Sequence, residues 1–163
     1  MPNIPAYEIR VATESEIPTI FSFIKKLAEY EKLSHEVVAS EALLKETLFG
    51  ARRTAEVAIG YFEGTPVGFV LFLHNFSTFL GRPGLYIEDL FVEEPYRRRG
   101  FGGALLRYVA KLAVERKCGR LEWSVLDWNQ PAINFYKKLG AFPMDEWTGF
   151  RVTGENLKKL GAA

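Results

Sequence analysis

From Tyr86 to Leu106 the chain reads YIEDLFVEEPYRRRGFGGALL, and no other run restricts the fold as much. It sets out an apolar strand, a short turn through Pro95, the arginines Arg97, Arg98 and Arg99, the glycines Gly100, Gly102 and Gly103, and an amphipathic helix. A strand that feeds glycines at a helix start leaves backbone N–H groups pointing at open space, with cations beside them. That is a phosphate site. Cations there oppose the helix dipole by about 0.3–1 kcal/mol each when exposed, and glycine in a first turn costs about 1 kcal/mol against alanine. Neither choice makes sense without an anion close to the backbone.

Spacing sorts the phosphate loops. A P-loop needs a Lys-Ser/Thr pair after its glycines, and none follows here. A dinucleotide fingerprint needs an acidic residue about 20 residues on, at the end of a second strand. Glu122 falls at roughly that distance, but inside the predicted strand 120–126, and the arginines precede the glycines.

At 163 residues a single domain, 1–163, is expected. Cys118 is the one cysteine, which excludes an internal disulfide framework. The composition fits a reducing compartment, so a cytoplasmic location is expected. No run approaches a membrane span, and MPNIPAYEIR lacks an apolar secretory segment. A net charge of +1 gives no reason to expect a polyanion, so neither nucleic acid nor a membrane is an expected partner. His35 and His74 are too far apart and too unaccompanied to suggest a metal, and none is expected.

Hydrophobic periodicity and turn signals place the elements. Tyr7–Ala12 reads as an opening strand, and Thr13 with Glu16 makes a capping box for a helix to about Tyr30. Ser40 opens a second helix that Gly50 stops. Ala55–Phe62 and Pro66–Leu73 read as a hairpin around Glu63-Gly64-Thr65, followed by a loop over Asn75–Gly84 with Phe76 and Phe79 exposed. Gly84–Glu93 is a central strand, a helix runs from Gly103 to Cys118-Gly119, and Arg120–Leu126 is again a strand. Asn129 caps a helix with Pro131 in its first turn, ending at Gly140. Ala141–Met144 and Gly149–Val152 read as closing antiparallel strands, and Glu155–Leu160 as a last helical turn or two. The alternation from 85 to 139 argues for right-handed crossovers on parallel strands. Hairpins on either side argue for a mixed sheet, hence an α+β fold, an αβα sandwich.

The pattern Arg97-x-x-Gly100-x-Gly102 resembles the acyl-coenzyme-A pyrophosphate loop of the GNAT N-acetyltransferases. With IEDLFV before it and WSVLDWNQPAINFYKKLGA after it, the chain from about Tyr7 to Leu160 resembles the diamine (spermidine/spermine) N-acetyltransferase branch. The animal members carry a longer insertion where this chain has only Glu63-Gly64-Thr65. The resemblance implies a mixed, mostly antiparallel twisted sheet whose two central parallel strands splay apart, with helices on both faces. Acetyl-CoA is then the cosubstrate, its arm beside Leu90, Phe91 and Val92 and its pyrophosphate on the N–H groups around Arg99, Gly100, Phe101, Gly102 and Gly103. Asn129, Phe135 and Tyr136 complete the cofactor set. The resemblance further implies a homodimer and direct transfer to an amine, with Glu88 acting on the incoming ammonium and Tyr136 protonating the thiolate.

The residues themselves fit those roles. Glu88 and Asp89 interrupt an apolar strand, where ionised groups are expensive unless paired or solvated at a cleft. Regular alternation would send them to opposite faces. A phenol holds its proton at neutral pH, which suits an acid for a departing thiolate. Carboxylates recur at Glu88, Asp89, Glu122, Asp127, Asp145 and Glu146, and Trp147 could cover the aliphatic part of a cation. The expected acceptor is therefore a small cationic amine: a diamine, polyamine or lysine-like amino acid. A protein amino terminus or lysine, and a non-catalytic acyl-CoA-binding domain, are the alternatives.

Overall fold

A computed structural model describes residues 6–163, so the expectation about the amino terminus falls partly on residues 1–5, outside the described residues. The chain divides into two compact units, one ending at Ser124 and one spanning Val125–Ala163.

The first unit holds β1 (Tyr7–Val11), α1 (Ile17–Tyr30), α2 (Glu41–Phe49), β2 (Glu56–Phe62), β3 (Thr65–Ser77), β4 (Arg82–Val92), α3 (Phe101–Glu115) and β5 (Leu121–Trp123). They form one five-stranded sheet in the order β1-β2-β3-β4-β5. Only β4 and β5 are parallel; every other neighbour is antiparallel.

Local chemistry sets the boundaries. The Thr13 N–H donates to the Glu16 carboxylate at 2.7 Å, closing one arm of the predicted capping box ahead of α1. The Ser40 hydroxyl accepts from the Leu43 N–H at 3.2 Å and starts α2. At Gly50, where α2 stops, a Cβ would lie 2.2 Å from the Glu46 carbonyl oxygen. Glu63 and Gly64, with φ of 49° and 78°, are the two left-handed residues a tight hairpin between β2 and β3 requires.

Helices cover both faces. On one, Ile20 and Phe23 of α1 and Leu48 of α2 pack with Val57, Ile59, Phe69, Leu71 and Phe91. On the other, α3 buries Phe101, Leu105 and Val109, and its first turn lies over Leu90 and Val92. Full burial of each such side chain favours folding by about 1.5–3 kcal/mol relative to exposure.

Three expectations are corrected. The loop predicted at Asn75–Gly84 is mostly sheet, because Asn75 pairs with Gly84, Phe76 with Pro83 and Ser77 with Arg82. Only residues 78–81 turn the chain, with Phe79 fully exposed at the tip. The strand predicted over 120–126 shrinks to β5, since its pairing with β4 stops at Ile87 and Trp123. The closing strands at Ala141–Met144 and Gly149–Val152 are not formed. Phe142, Met144 and Phe150 are exposed, so neither segment has the half-buried face that fixes a strand, and Pro143 cannot donate to a ladder.

The second unit carries α4 (Gln130–Lys138) and α5 (Gly154–Ala162). Asn129 caps α4 as predicted, its side-chain oxygen accepting from the Ala132 N–H at 3.4 Å. Gly140, at φ 90°, supplies the left-handed residue after α4.

Candidate active site

The ladder between β3 and β4 slips by one residue at the predicted catalytic glutamate. Phe72 stands opposite Ile87, but Leu71 stands opposite Asp89, so Glu88 is the extra residue of a β-bulge. Directly opposed residues share a face. Ile87 therefore faces with Phe72, while Asp89 faces with Leu71 and, two residues on, Phe91 with Phe69. Leu71, Phe69 and Phe91 belong to the α1 side of the sheet. The bulge thus transfers Asp89 to the α1 face and breaks the alternation on which the opposite-face expectation for Glu88 and Asp89 rested.

Asp89 is half-buried there, and its carboxyl is pushed up to about 6. Burial is the main cause, followed by the negative charges of Glu88 and Glu31. Glu31 follows the last residue of α1, its N–H still donating to the Leu27 carbonyl at 2.9 Å, and burial raises its carboxyl too. No cation lies within ion-pair distance of Asp89 among the described residues. Glu31, Glu88 and Asp89 are not gathered into a metal-holding group among those residues either. Glu31, Glu88 and Asp89 thus form an acidic neighbourhood in which no cation pairs with Asp89 among the described residues. Glu31 carried no motif or periodicity that marked it; only the placement of α1 on β4 reveals it.

Beyond the bulge, β4 continues to Val92 while its pairing with β5 has ended at Ile87. Leu90, Phe91 and Val92 therefore lie on a stretch whose β5-side edge has no strand partner among the described residues. That is the splay expected between the parallel strands. Phe91 is itself core, its ring centroid 6.0 Å from that of Phe23, so only its backbone is open to a ligand.

The glycine-arginine loop follows directly. Arg98 takes φ 61° and Gly100 φ 87°, two left-handed residues flanking Arg99. Gly100 is the cap of α3, and the first N–H bonded back to it is that of Ala104, at 3.0 Å. From Arg98 to Gly103 the backbone N–H groups have no acceptor among the described residues. A row of unsatisfied donors at a helix start is an anion cradle. Gly102 has ordinary clearance, so its lack of a Cβ is not forced by the protein's own packing. The residues present fit a pyrophosphate.

The three arginines do not share one role. The Arg97 Nε donates to the Val92 carbonyl at 2.8 Å, and its guanidinium lies over the rings of Tyr30 and Phe91. Arg99 stacks over Phe62 at 4.4 Å, with Phe101 and Tyr96 within 6 Å. Arg98 has no side-chain partner among the described residues, and it sits in the strained conformation usually left to glycine. Phe101 is 1% exposed and stacked 4.4 Å from Tyr7, so its contribution to a ligand is through its N–H.

Glu122 is not part of the acidic neighbourhood. Arg120 pairs with it at 2.8 Å and the Asn75 amide donates to it at 3.2 Å, so its charge is already balanced. Asn129, Phe135 and Tyr136 stand together on or beside α4, with the Phe135 and Tyr136 ring centroids 5.7 Å apart. Asp127, Asp145, Glu146 and Trp147 are exposed residues of the second unit, the last three around a turn in which the Trp147 N–H donates to the Met144 carbonyl at 3.2 Å.

Comparison with known proteins agrees with this geometry. Residues 23–141 match the family described as the acetyltransferase (GNAT) family. A thialysine N-epsilon-acetyltransferase of Mus musculus is 39% identical over 93% of this chain and 95% of its own length. An L-ornithine N5-acetyltransferase of Arabidopsis thaliana is 36% identical over 93% of this chain and 86% of its own length. Among solved structures, an integron cassette protein from the mobile metagenome of V. cholerae superposes with a TM-score of 0.81 at 26% identity, covering 97% of this chain and 99% of that one. An anion cradle after a splayed strand, a bulge that exposes a glutamate, and these likenesses lead to one conclusion: the chain belongs to the acetyltransferase (GNAT) family.

Proposed function

We propose that the protein transfers the acetyl group of acetyl-CoA to the side-chain amine of a small diamino acid or diamine. The observation that carries this reading is Asp89, a half-buried carboxyl on the α1 face of the sheet, raised to about 6 near Glu31 and Glu88, with no cation in ion-pair distance among the described residues. Such a site is stabilised when a second positive charge on the acceptor enters it. The relatives named for ornithine N5 and thialysine N-epsilon act on side-chain amines of diamino acids, which supports that class over a protein terminus.

The pyrophosphate of acetyl-CoA rests on the N–H groups from Arg98 to Gly103, and the chain's own residues do the proton work. Glu88, exposed on the bulge, draws a proton from the reacting ammonium directly or through water. The free amine attacks the acetyl carbonyl carbon and the C–N bond forms; the nitrogen gives its second proton to water as the C–S bond breaks, and water in turn reprotonates the Tyr136 phenolate after it has served the thiolate. Tyr136 gives its proton to the departing thiolate, with Asn129 and Phe135 beside the cofactor arm. Asp127, Asp145, Glu146 and Trp147 stay candidates for binding the acceptor. The two units act as a single acetyltransferase domain, a reading supported by a family match that runs through the boundary at Ser124. A homodimer in the cytoplasm is the expected working form.

A panel of amines tests this. CoA release from acetyl-CoA is measured with ornithine, thialysine, spermidine, an uncharged-tail monoamine and a short peptide with a free amino terminus. Diamino acids or diamines should give kcat/KM about tenfold or more above the monoamine. Equal values, or turnover with a peptide terminus alone, would overturn the reading.

A further inference from the structure

Arg97 is the first arginine of the phosphate loop by sequence, yet the structure uses it elsewhere. Its Nε donates to the carbonyl of Val92, the last residue of β4, at 2.8 Å. Its guanidinium carbon lies 4.7 Å from the centre of the Tyr30 ring and 5.4 Å from that of Phe91. Tyr30 ends α1 and precedes Glu31; Phe91 follows Asp89 by two residues in the sheet. One side chain therefore joins the element that carries Glu31 to the strand that carries Asp89. A second contact runs in parallel, an ion pair from Lys26 of α1 to Glu93, the residue after β4.

A planar guanidinium suits this place and an ammonium does not. It lies flat on an aromatic face while an edge N–H still reaches a carbonyl in its own plane. The Phe91 ring beneath it is fixed in the core between Phe23 and Phe69, so the platform is rigid. Tyr30 is half exposed at the end of its helix, where the last turn of a helix frays most readily. The guanidinium thus ties the ring at the end of α1 to the last residue of β4.

We propose that Arg97 is a positioning residue for the acceptor amine: it fixes Tyr30 on β4 and so holds Glu31 beside Asp89. This rests on the reading above that Glu31 and Asp89 receive the acceptor's second charge. Arg97 then acts through Glu31 and contributes little to donor affinity, which falls to Arg98 and the loop N–H groups.

The test separates donor from acceptor. Arg97→Met keeps the stem over the rings and removes the hydrogen bond and the charge. It should raise KM for a diamino acid about tenfold, with kcat, KM for an uncharged-tail monoamine and the calorimetric Kd for CoA each within about twofold. In an Arg97→Met/Glu31→Gln double variant the acceptor effects should not add, because both act through one carboxylate. Arg97→Lys, the milder change, retains charge but not the planar stack and should still raise the diamino acid KM with CoA affinity unchanged, which keeps the test open if Arg97→Met does not fold. A weakened Kd for CoA with an unchanged acceptor KM would show Arg97 to be a phosphate contact and overturn the proposal. If Glu31→Gln alone leaves the diamino acid KM unchanged, the acceptor reading itself fails, and the inference with it. If Glu31→Gln raises that KM while both Arg97 variants leave it unaltered, only the inference is lost.

Discussion

Asp89 stands opposite Leu71, on the α1 face of the sheet, because Glu88 is looped out of the ladder between them and the Phe72–Ile87 pair. A regular strand would have put Asp89 on the α3 face with Ile87. One inserted residue thus supplies both an exposed glutamate and a half-buried aspartate near Glu31.

The cost of that arrangement depends on pH. Folding raises the Asp89 carboxyl from 3.8 to about 6, mainly by burial. A group raised in the folded state contributes fully below its unfolded value, and that contribution is lost as pH rises through the folded value. The free protein should therefore lose stability from this group between about pH 4 and pH 6. Asp89→Asn removes the loss. Thermal melts of the two proteins should differ little near pH 4, and the variant should gain by several degrees above pH 7. A constant difference across that range would mean that Asp89 does not titrate there.

Tyr136→Phe should lower kcat by roughly 10²–10⁴, the range for a lost general acid, with CoA affinity and melting temperature close to wild type. Glu88→Gln should lower kcat/KM most at low pH, where more of the amine arrives protonated. Wild-type turnover by the phenylalanine variant would remove the thiolate-protonation role. A burst of CoA before amine is added would indicate an acyl-enzyme and direct attention to Cys118.

Arg98 separates strain from function. Its φ of 61° is costly for a residue with a Cβ, by about 1 kcal/mol, while glycine adopts it freely. Arg98→Gly relieves that strain but frees the unfolded chain by a similar amount, so stability should stay within about 1 kcal/mol. Affinity for CoA should fall nonetheless, by an amount that shrinks as salt rises. A salt-independent loss would assign the residue a conformational role only.

Gly68 lies on β3 opposite Val92, and a Cβ there would sit 2.5 Å from the Phe91 carbonyl oxygen. The obstacle is backbone in the middle of the sheet and cannot rotate away. Gly68→Ala should cost about 2–4 kcal/mol in denaturant unfolding. A change under about 0.5 kcal/mol would show that the two strands separate easily at this point.

The parts that sequence made legible are those with a local signal. The strand, arginines, glycines and helix of 85–106 fall where expected, as do the Thr13, Ser40 and Asn129 caps, because each is set within a few residues. The bulge at Glu88 was not legible, since it is a register between strands and leaves no mark on either one. Glu31 was missed for the same reason: a helix-terminal glutamate acquires meaning only from the strand beside it. Arg97 and Arg99 read as phosphate cations because charge and spacing are visible, while the Tyr30, Phe91 and Phe62 rings beneath them come from distant parts of the chain. The predicted strands at 141–144 and 149–152 failed because apolar alternation alone does not supply a partner edge.

On the function proposed, the carboxylates of Asp89 and Glu31, unpaired among the described residues, select an acceptor with a second positive charge. The most direct measurement is the ratio of kcat/KM for a diamino acid to that for a monoamine of equal length with an uncharged tail, in wild type and in Asp89→Asn. A ratio of about tenfold or more is expected in wild type, falling several-fold in the variant through weaker use of the charged acceptor alone. A wild-type ratio near one, or a high ratio that survives the substitution unchanged, would contradict it.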